Sequence, residues 1–268
     1  MILVNGHEIK LGRFPDKTLL MKYTVNTSTC IIRWKYESDE ELFAIYCIKR
    51  HIDENSKWHK ITTILELPYI PNARQDRTKH PEDIFTLKYF AEIINSLNFD
   101  SVEVLDPHSN VSSALINNIV VKNPSDKIAE AYFRINKELG DDSFVLMFYP
   151  DEGACKRYSD KFTTPYAFGI KERDWETGKI KGLSVFGDTG LISGNNVLII
   201  DDICSKGGTF FHSAKKLKEL GAEKIYLYIT HCENTILEGD LLESELIEKV
   251  YTTDSLFSKE HEKIEILE

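Results

Sequence analysis

The chain has 268 residues, 42% of them hydrophobic, which is enough to bury a core as one large domain or two smaller ones packed together. Its formal net charge of −10 argues against general nucleic-acid binding, which needs basic surface to neutralise phosphates. No apolar run reaches the roughly 18 residues of a membrane span, and the opening residues lack a basic stretch followed by an apolar one, so a cytoplasmic chain is expected.

In chain order, Thr18 to Tyr36 and Glu41 to Ile48 read as strands joined by short polar turns, and Lys60 to Leu67 as a buried strand. Asp83 to Leu97 carries Ile84, Leu87, Phe90, Ala91 and Ile94 at helical spacing, and the strand Ser101 to Leu105 follows, ending at Asp106-Pro107-His108. A domain boundary is expected near Asn123-Pro124. Beyond it the pattern predicts a helix over Asp126 to Leu139, a strand over Phe144 to Phe148 and a very apolar strand over Asn196 to Ile200. A helix over Phe211 to Leu220 closed by Gly221, then a strand over Lys224 to Thr230, complete a βαβ connection. Trp175 to Gly194, rich in Gly, Lys and Asp, reads as an exposed hairpin or loop, and Lys263 to Leu267 as strand-like. Apolar segments alternating with amphipathic ones make this an α/β chain. Five cysteines (Cys30, Cys47, Cys155, Cys204, Cys232) are scattered without a CxxC pair, which argues against a disulfide framework or a zinc site.

The chemistry concentrates after Val197-Leu198-Ile199-Ile200. Asp201-Asp202 is followed by Ile203, Cys204, Ser205, Lys206, Gly207, Gly208 and Thr209, then by a helix. Glycines let successive backbone N–H groups approach an anion, the helix N-terminus adds its positive dipole end, and Thr209 offers a hydroxyl. Asp201 and Asp202 can accept hydrogen bonds from vicinal sugar hydroxyls, so the segment describes a ribose phosphate pocket. A glycine turn whose acids only cap the helix is the simpler reading, and the acid pair weighs against it.

At this loop the sequence resembles the ribose-phosphate diphosphokinase, or phosphoribosyl pyrophosphate synthetase, family. Pro68-Tyr69-Ile70-Pro71-Asn72-Ala73-Arg74-Gln75-Asp76-Arg77 resembles its ATP-binding segment, and Asp106-Pro107-His108 its Asp-Leu-His segment. Pro150-Asp151-Glu152-Gly153-Ala154-Cys155-Lys156-Arg157 resembles Pro-Asp-x-Gly-x-x-Arg, and Lys171-Glu172-Arg173 the Lys-x-Arg of a mobile catalytic loop. The matches keep the family's order over roughly residues 60 to 232.

The resemblance implies two tandem type I phosphoribosyltransferase-like domains with parallel sheets: an ATP-binding domain over 1–123 and a ribose-phosphate-binding domain over 124–268. It implies transfer of the β,γ-diphosphate of ATP to the C1 hydroxyl of ribose 5-phosphate. Arg74, Gln75 and Asp76 would handle ATP, and Asp16, in a partial match to the family's adenine segment, would meet the base from a neighbouring subunit. Lys171 and Arg173 would be catalytic, two cations on one side of an extended segment. His108 and Asp151 would form the Mg²⁺ environment, sparse because Mg²⁺ keeps waters and substrate phosphates as ligands. Because relatives share the adenine site between subunits, a homodimer or larger assembly is implied, although the family's first βα unit and final helix are expected to be missing.

Ser205 and Lys206 stand where the family pattern has Asp and Thr, one carboxylate fewer and one cation more. The extra charge would suit one phosphate, or the diphosphate of ADP-ribose, the acceptor used by family-like enzymes of viral NAD⁺-rebuilding pathways that make ADP-ribose 1-pyrophosphate. Two other readings compete. A phosphoribosyltransferase has no reason to carry the segment from Ala73 to Arg77 or Lys171-x-Arg173, and a silent regulator has none to retain Arg74, Gln75, Lys171 and Arg173 together.

Overall fold

The computed structural model describes residues 1–56, 60–140, 143–173 and 180–267, with backbone alone at 171–173 and 180–181. The chain divides into two units, Met1–Asn123 and Pro124–Glu268.

The first unit contains β1 (Ile2–Val4), β2 (His7–Glu8), β3 (Gly12–Arg13), β4 (Leu19–Leu20), β5 (Thr29–Trp34), α1 (Glu41–Asn55) and β6 (Thr62–Leu67). It continues with α2 (Thr86–Ser96), β7 (Ser101–Leu105), α3 (Asn110–Leu115) and β8 (Ile119–Lys122). Strands β5, β6, β7 and β8 are parallel neighbours in that order, β1 and β2 extend the β5 edge antiparallel, and β3 pairs with β4 as a separate hairpin. Each right-handed crossover steps the same way across this sheet, so its helices are driven to one face. Ile32 and Trp34 of β5, Leu65 of β6 and Val102 of β7 accordingly share one core with Ala44 and Ile45 of α1 and Leu87 and Phe90 of α2. The alternate residues, among them Ile31, Arg33, Ile64, Glu66 and Glu103, stay partly or fully exposed, with the cross-strand ion pairs Arg33–Glu66 and Lys122–Glu103.

The expected strand over Glu41 to Ile48 is in fact the first half of α1. Its buried positions are Glu41, Ala44, Ile45, Ile48, Lys49 and Ile52, a helical stripe. The aromatic Phe43 and Tyr46 lie on the solvent side, stacked on one another. Of the strand expected over Thr18 to Tyr36, only Leu19–Leu20 and Thr29–Trp34 are extended ladders, because Lys22 to Ser28 finds no strand partner among the described residues.

The second unit runs α4 (Ser125–Leu139), β9 (Val145–Tyr149), α5 (Glu152–Tyr158), β10 (Tyr166–Arg173), β11 (Ile180–Gly187), β12 (Asn196–Cys204), α6 (Gly208–Glu219), β13 (Ile225–Cys232), β14 (Lys249–Thr253) and β15 (Ile264–Leu267). The strand order is β11-β10-β9-β12-β13-β14-β15, parallel except for β11, which returns antiparallel along β10. The segment expected as a hairpin or loop therefore supplies a strand, and its first part, up to residue 179, lies outside the described residues.

Both faces of this sheet are covered. Leu146, Phe148, Val197, Ile199, Ile225 and Leu227 pack with Phe210, Ala214 and Leu217 of α6. The intervening Val145, Met147, Leu198, Ile200, Tyr226 and Tyr228 pack with Ile128 and Ala131 of α4 and Ala154 and Tyr158 of α5. The topology explains the difference from the first unit. After β9 the chain crosses to β10 on one side, and after β12 it crosses to β13 on the other, so α5 and α6 are sent to opposite faces. The carboxyl ends of β9 and β12 thus flank a topological switch point, the place where an open parallel sheet leaves a crevice for a ligand. Among the described residues no helix is long and apolar enough to cross a membrane.

Candidate active site

The segment after Ile200 stays extended further than its composition suggested. Asp201, Asp202, Ile203 and Cys204 all belong to β12, and Gly208 and Thr209 already form the first turn of α6, so the loop between strand and helix is short. Gly207 caps the helix in the left-handed region at φ 81°. A side chain there would place its Cβ 2.7 Å from Leu241 Cδ2 and 2.9 Å from Leu241 Cβ, whereas the space in front of Gly208 is open. Gly239 closes the loop from outside, since a Cβ at that position would lie 2.0 Å from the Lys206 carbonyl oxygen. The 236–241 segment, seated by the buried Ile236 and Leu241, is therefore the buttress that sets the loop. Lys206 Nζ pairs with Glu238 Oε2 at 3.1 Å, both side chains more than half exposed. The cation that the sequence added to this loop is thus matched by an acid from the buttress.

At the strand end the Asp202 N–H donates to Asp201 Oδ1 at 2.9 Å. Asp202 keeps the parity of Leu198 and Ile200, the face covered by α4 and α5, and there its carboxylate, only 5% exposed, meets Arg157 Nη1 at 3.1 Å. Burial, then repulsion from Asp202 and from the nearby Asp151, pushes the Asp201 carboxyl well above the usual carboxylate range. Asp151 itself is the N-cap of α5, its Oδ1 accepting from Ala154 N at 3.0 Å. Two residues beyond Asp202, Cys204 is in register with Cys232 on β13 and its thiol donates to the Ser205 carbonyl at 3.4 Å; the neighbouring Cys232 thiol, then burial, push the Cys204 thiol well above its ordinary value.

In the first unit, turns at Ile70–Ala73 and Asn72–Gln75 are held by the buried Ile70, Ala73 and Asp76, which leaves Arg74 and Gln75 on the outside. Gln75 Oε1 accepts from Thr86 Oγ1 at 2.7 Å at the start of α2. The Leu105 N–H donates to the Pro68 carbonyl at 3.3 Å, which ties this segment to the end of β7 and hence to Asp106 and His108. Asp76 is clamped by Arg77 through Nε at 2.7 Å and Nη2 at 3.0 Å. That guanidinium first, and the adjacent His108, pull the Asp76 carboxyl below its ordinary range. Asp16 lies in the exposed β3–β4 turn, where its Oδ1 accepts from the Thr18 hydroxyl at 2.6 Å and the Thr18 N–H at 3.0 Å.

Lys171 and Arg173 occupy the last positions of β10, opposite Leu183 and Ile180. The backbone there is a strand and not a loop; their side chains lie outside the described residues. Arg74, Gln75, Asp76, Asp16 and His108 belong to the first unit, and Asp151, Lys171, Arg173 and the Asp201 to Thr209 loop to the second.

Residues 175–266 match the phosphoribosyl synthetase-associated domain family. The ribose-phosphate pyrophosphokinase of Caldanaerobacter subterraneus subsp. tengcongensis is 30% identical over 205 residues, 74% of this chain and 62% of the relative. That of Chlorobaculum tepidum is 31% identical over 213 residues, 77% of this chain and 62% of the relative. The chain therefore spans a little over three-fifths of the length of these relatives. The crystal structure of phosphoribosylpyrophosphate synthetase from Mycobacterium smegmatis superposes with a TM-score of 0.76 at 17% identity, covering 97% of this chain and 85% of that one. These likenesses point to the ribose-phosphate pyrophosphokinase family. The chain's fold is that of the pyrophosphokinases, two phosphoribosyltransferase-like domains built on parallel-dominated sheets. Arg157 stands in the 150–157 segment without a role implied by the resemblance, and none of Glu238, Gly239 and Leu241 belongs to any of the segments that resemble the family. Arg157 follows Asp151 by six residues on a helix that covers the even-numbered face of β12, which is the sequence signal for its contact with Asp202. The buttress residues carry none, because their role depends on where a distant turn lands.

Proposed function

We propose that this chain transfers the β,γ-diphosphate of ATP to the C1 hydroxyl of ribose 5-phosphate, giving phosphoribosyl pyrophosphate and AMP. The observation that carries the reading is the short β12–α6 junction at the switch point. There a left-handed Gly207 and the open Gly208 present the α6 N-terminus to an anion, with the Asp201–Asp202 pair beside it. The 5-phosphate would rest on the N–H groups of Gly207, Gly208 and Thr209, and the acid pair would accept the ring's vicinal hydroxyls. Such binding fixes the sugar while its C1 oxygen attacks the β-phosphorus, the bond from that phosphorus to the α,β-bridging oxygen breaks, and AMP leaves as the sugar hydroxyl gives up its proton. Positioning and positive charge supply most of the acceleration in such a transfer, the tasks assigned to Arg74 and Gln75 on ATP and to Lys171 and Arg173 on the transferring group.

Mg²⁺ fits the donor set. Among the described residues no group of three or more His, Cys, Asp or Glu side chains is arranged as a metal cage. Asp151 nevertheless lies close enough to Asp201 to raise its pKa, an excess of negative charge that a divalent cation would relieve. An ion held by Asp151 or His108 together with substrate phosphates and water is the usual Mg²⁺ arrangement, and it would neutralise the charge on the diphosphate. A homodimer or larger assembly remains part of the proposal, as does action on small molecules away from membranes and nucleic acid.

A second acceptor, ADP-ribose, is favoured by the outer rim of the loop. Lys206 is 67% exposed and held by a surface ion pair, and such pairs contribute about 0–1 kcal/mol, so an incoming diphosphate can recruit it. The deciding experiment incubates the protein with Mg-ATP and either sugar, measures AMP and determines the product mass. A diphosphate added to ribose 5-phosphate supports the first reading and one added to ADP-ribose the second; AMP formed with neither sugar present refutes both as simple hydrolysis. Lys206→Thr is expected to weaken use of ADP-ribose more than of ribose 5-phosphate, and equal effects would remove Lys206 from acceptor choice.

A further inference from the structure

The Asp201–Asp202 pair has a structural problem that the proposed sugar contact does not solve. A carboxylate as enclosed as that of Asp202 loses most of its hydration and must be compensated by charge or hydrogen bonds. A second carboxyl stands beside it, with Asp201 Oδ1 taking the Asp202 N–H at 2.9 Å. Without an anchor, Asp202 would turn away from its neighbour, and the two acids would not meet a pair of ring hydroxyls in one geometry. The compensation comes from Arg157, on the last turn of α5, whose Nη1 lies 3.1 Å from Asp202 Oδ2 while its own side chain is 23% exposed. The guanidinium is held in turn against the ring of the fully buried Tyr158, 5.8 Å from its centroid. The placement follows from topology: α5 covers the face of β12 on which Asp202 falls, and Asp151 caps the same helix at its other end.

We propose that Arg157 is a positioning residue for the acceptor sugar, anchoring the Asp202 carboxylate so that the acid pair meets the two ring hydroxyls in a single arrangement. The role rests on the reading above that Asp201 and Asp202 receive the sugar. It requires Arg157 to act through Asp202 and to touch neither ATP nor the reacting atoms. A planar, fork-shaped cation suits the task because it fixes direction as well as charge, which an ammonium does not.

The test compares wild type, Arg157→Met, Arg157→Lys, Asp202→Asn and the Arg157→Met/Asp202→Asn double variant. KM for the acceptor sugar, KM for ATP and kcat are measured separately, and a thermal melt is recorded for each. Arg157→Met is expected to raise the sugar KM roughly tenfold or more while the ATP KM stays within about twofold. Arg157→Lys should recover part of that loss, and the double variant should be no worse than Asp202→Asn alone, because a residue acting through another adds nothing once the other is gone. Should Arg157→Met fail to fold, Arg157→Lys carries the test, with a sugar KM raised about threefold or more at unchanged ATP KM. Both KM values rising together with a lowered melting temperature, or losses that add fully in the double variant, would overturn the assignment. An inert wild type overturns the proposed function and this role with it; an active wild type whose Arg157 variants bind sugar normally overturns this role alone.

Discussion

Replacing Gly207 by Ala is the sharpest probe of the loop, because two independent penalties meet at one atom. The backbone at φ 81° lies in the left-handed region, where a side chain costs about 1–2 kcal/mol. The added Cβ would also sit 2.7 Å from Leu241 Cδ2 and 2.9 Å from Leu241 Cβ, and crowding a packed, fully buried leucine costs typically about 1–3 kcal/mol. Together these destabilise the second unit by about 2–5 kcal/mol, roughly 5–20 °C in melting temperature for a domain of its size. The adjacent Gly208→Ala is the internal control: nothing lies within 4 Å of its Cβ and the residue is already helical. That change should leave stability unchanged or improve it by up to about 1 kcal/mol through loss of unfolded-state freedom. Urea titrations followed by circular dichroism would measure both. Adding Leu241→Ala to Gly207→Ala should return the part of the crowding that comes from Cδ2 and Cγ, about 1–2 kcal/mol of coupling, while the 2.9 Å contact with the Cβ that alanine keeps remains and Leu241→Ala alone is destabilising. If Gly207→Ala and Gly208→Ala differ by less than about 0.5 kcal/mol, within the scatter of a surface change, the buttressed left-handed cap is not the conformation in solution.

Gly239→Ala should act on the site from behind: its Cβ would meet the Lys206 carbonyl at 2.0 Å, so the loop must shift by about 1 Å, and misplacement on that scale costs on the order of 10²-fold in turnover of the sugar. Steady-state kinetics check this, and a variant within about threefold of wild type would show that the loop yields freely. Asp76 predicts a pH dependence in the first unit. Its folded pKa is depressed, so its contribution is complete above the unfolded carboxylate value of 3.8 and is lost as pH falls through the lower folded value. Arg77→Met should flatten that acid limb in denaturation measured from about pH 5 downward, and an unchanged limb would assign it to other acids. Lys171→Ala should lower kcat far more than ATP affinity, read from the ratio of kcat to ATP dissociation constant; an unaltered kcat would take Lys171 out of the catalytic role.

Local information in the chain determined the α/β class, most strands of the second unit, and the glycine turn with its acid pair between a strand and a helix. These follow from short-range facts: runs of Val, Ile and Leu that only a doubly covered strand can bury, glycines where the chain turns from strand to helix, and acids at a strand end. At α1 the apolar residues fall on both sides, with Phe43 and Tyr46 facing solvent, and the stripe from Glu41 to Ile52 packed against the sheet decides for helix. Tertiary structure alone decided the rest. Whether a helix covers one sheet face or both depends on the direction of successive crossovers, which puts a topological switch point between β9 and β12 and none among the parallel strands of the first unit. Likewise Arg157 on Asp202, Glu238 on Lys206 and Gly239 against the Lys206 carbonyl join positions far apart in the chain. No residue in such a pair announces its partner, because the contact exists only after the sheet has set the distance between them.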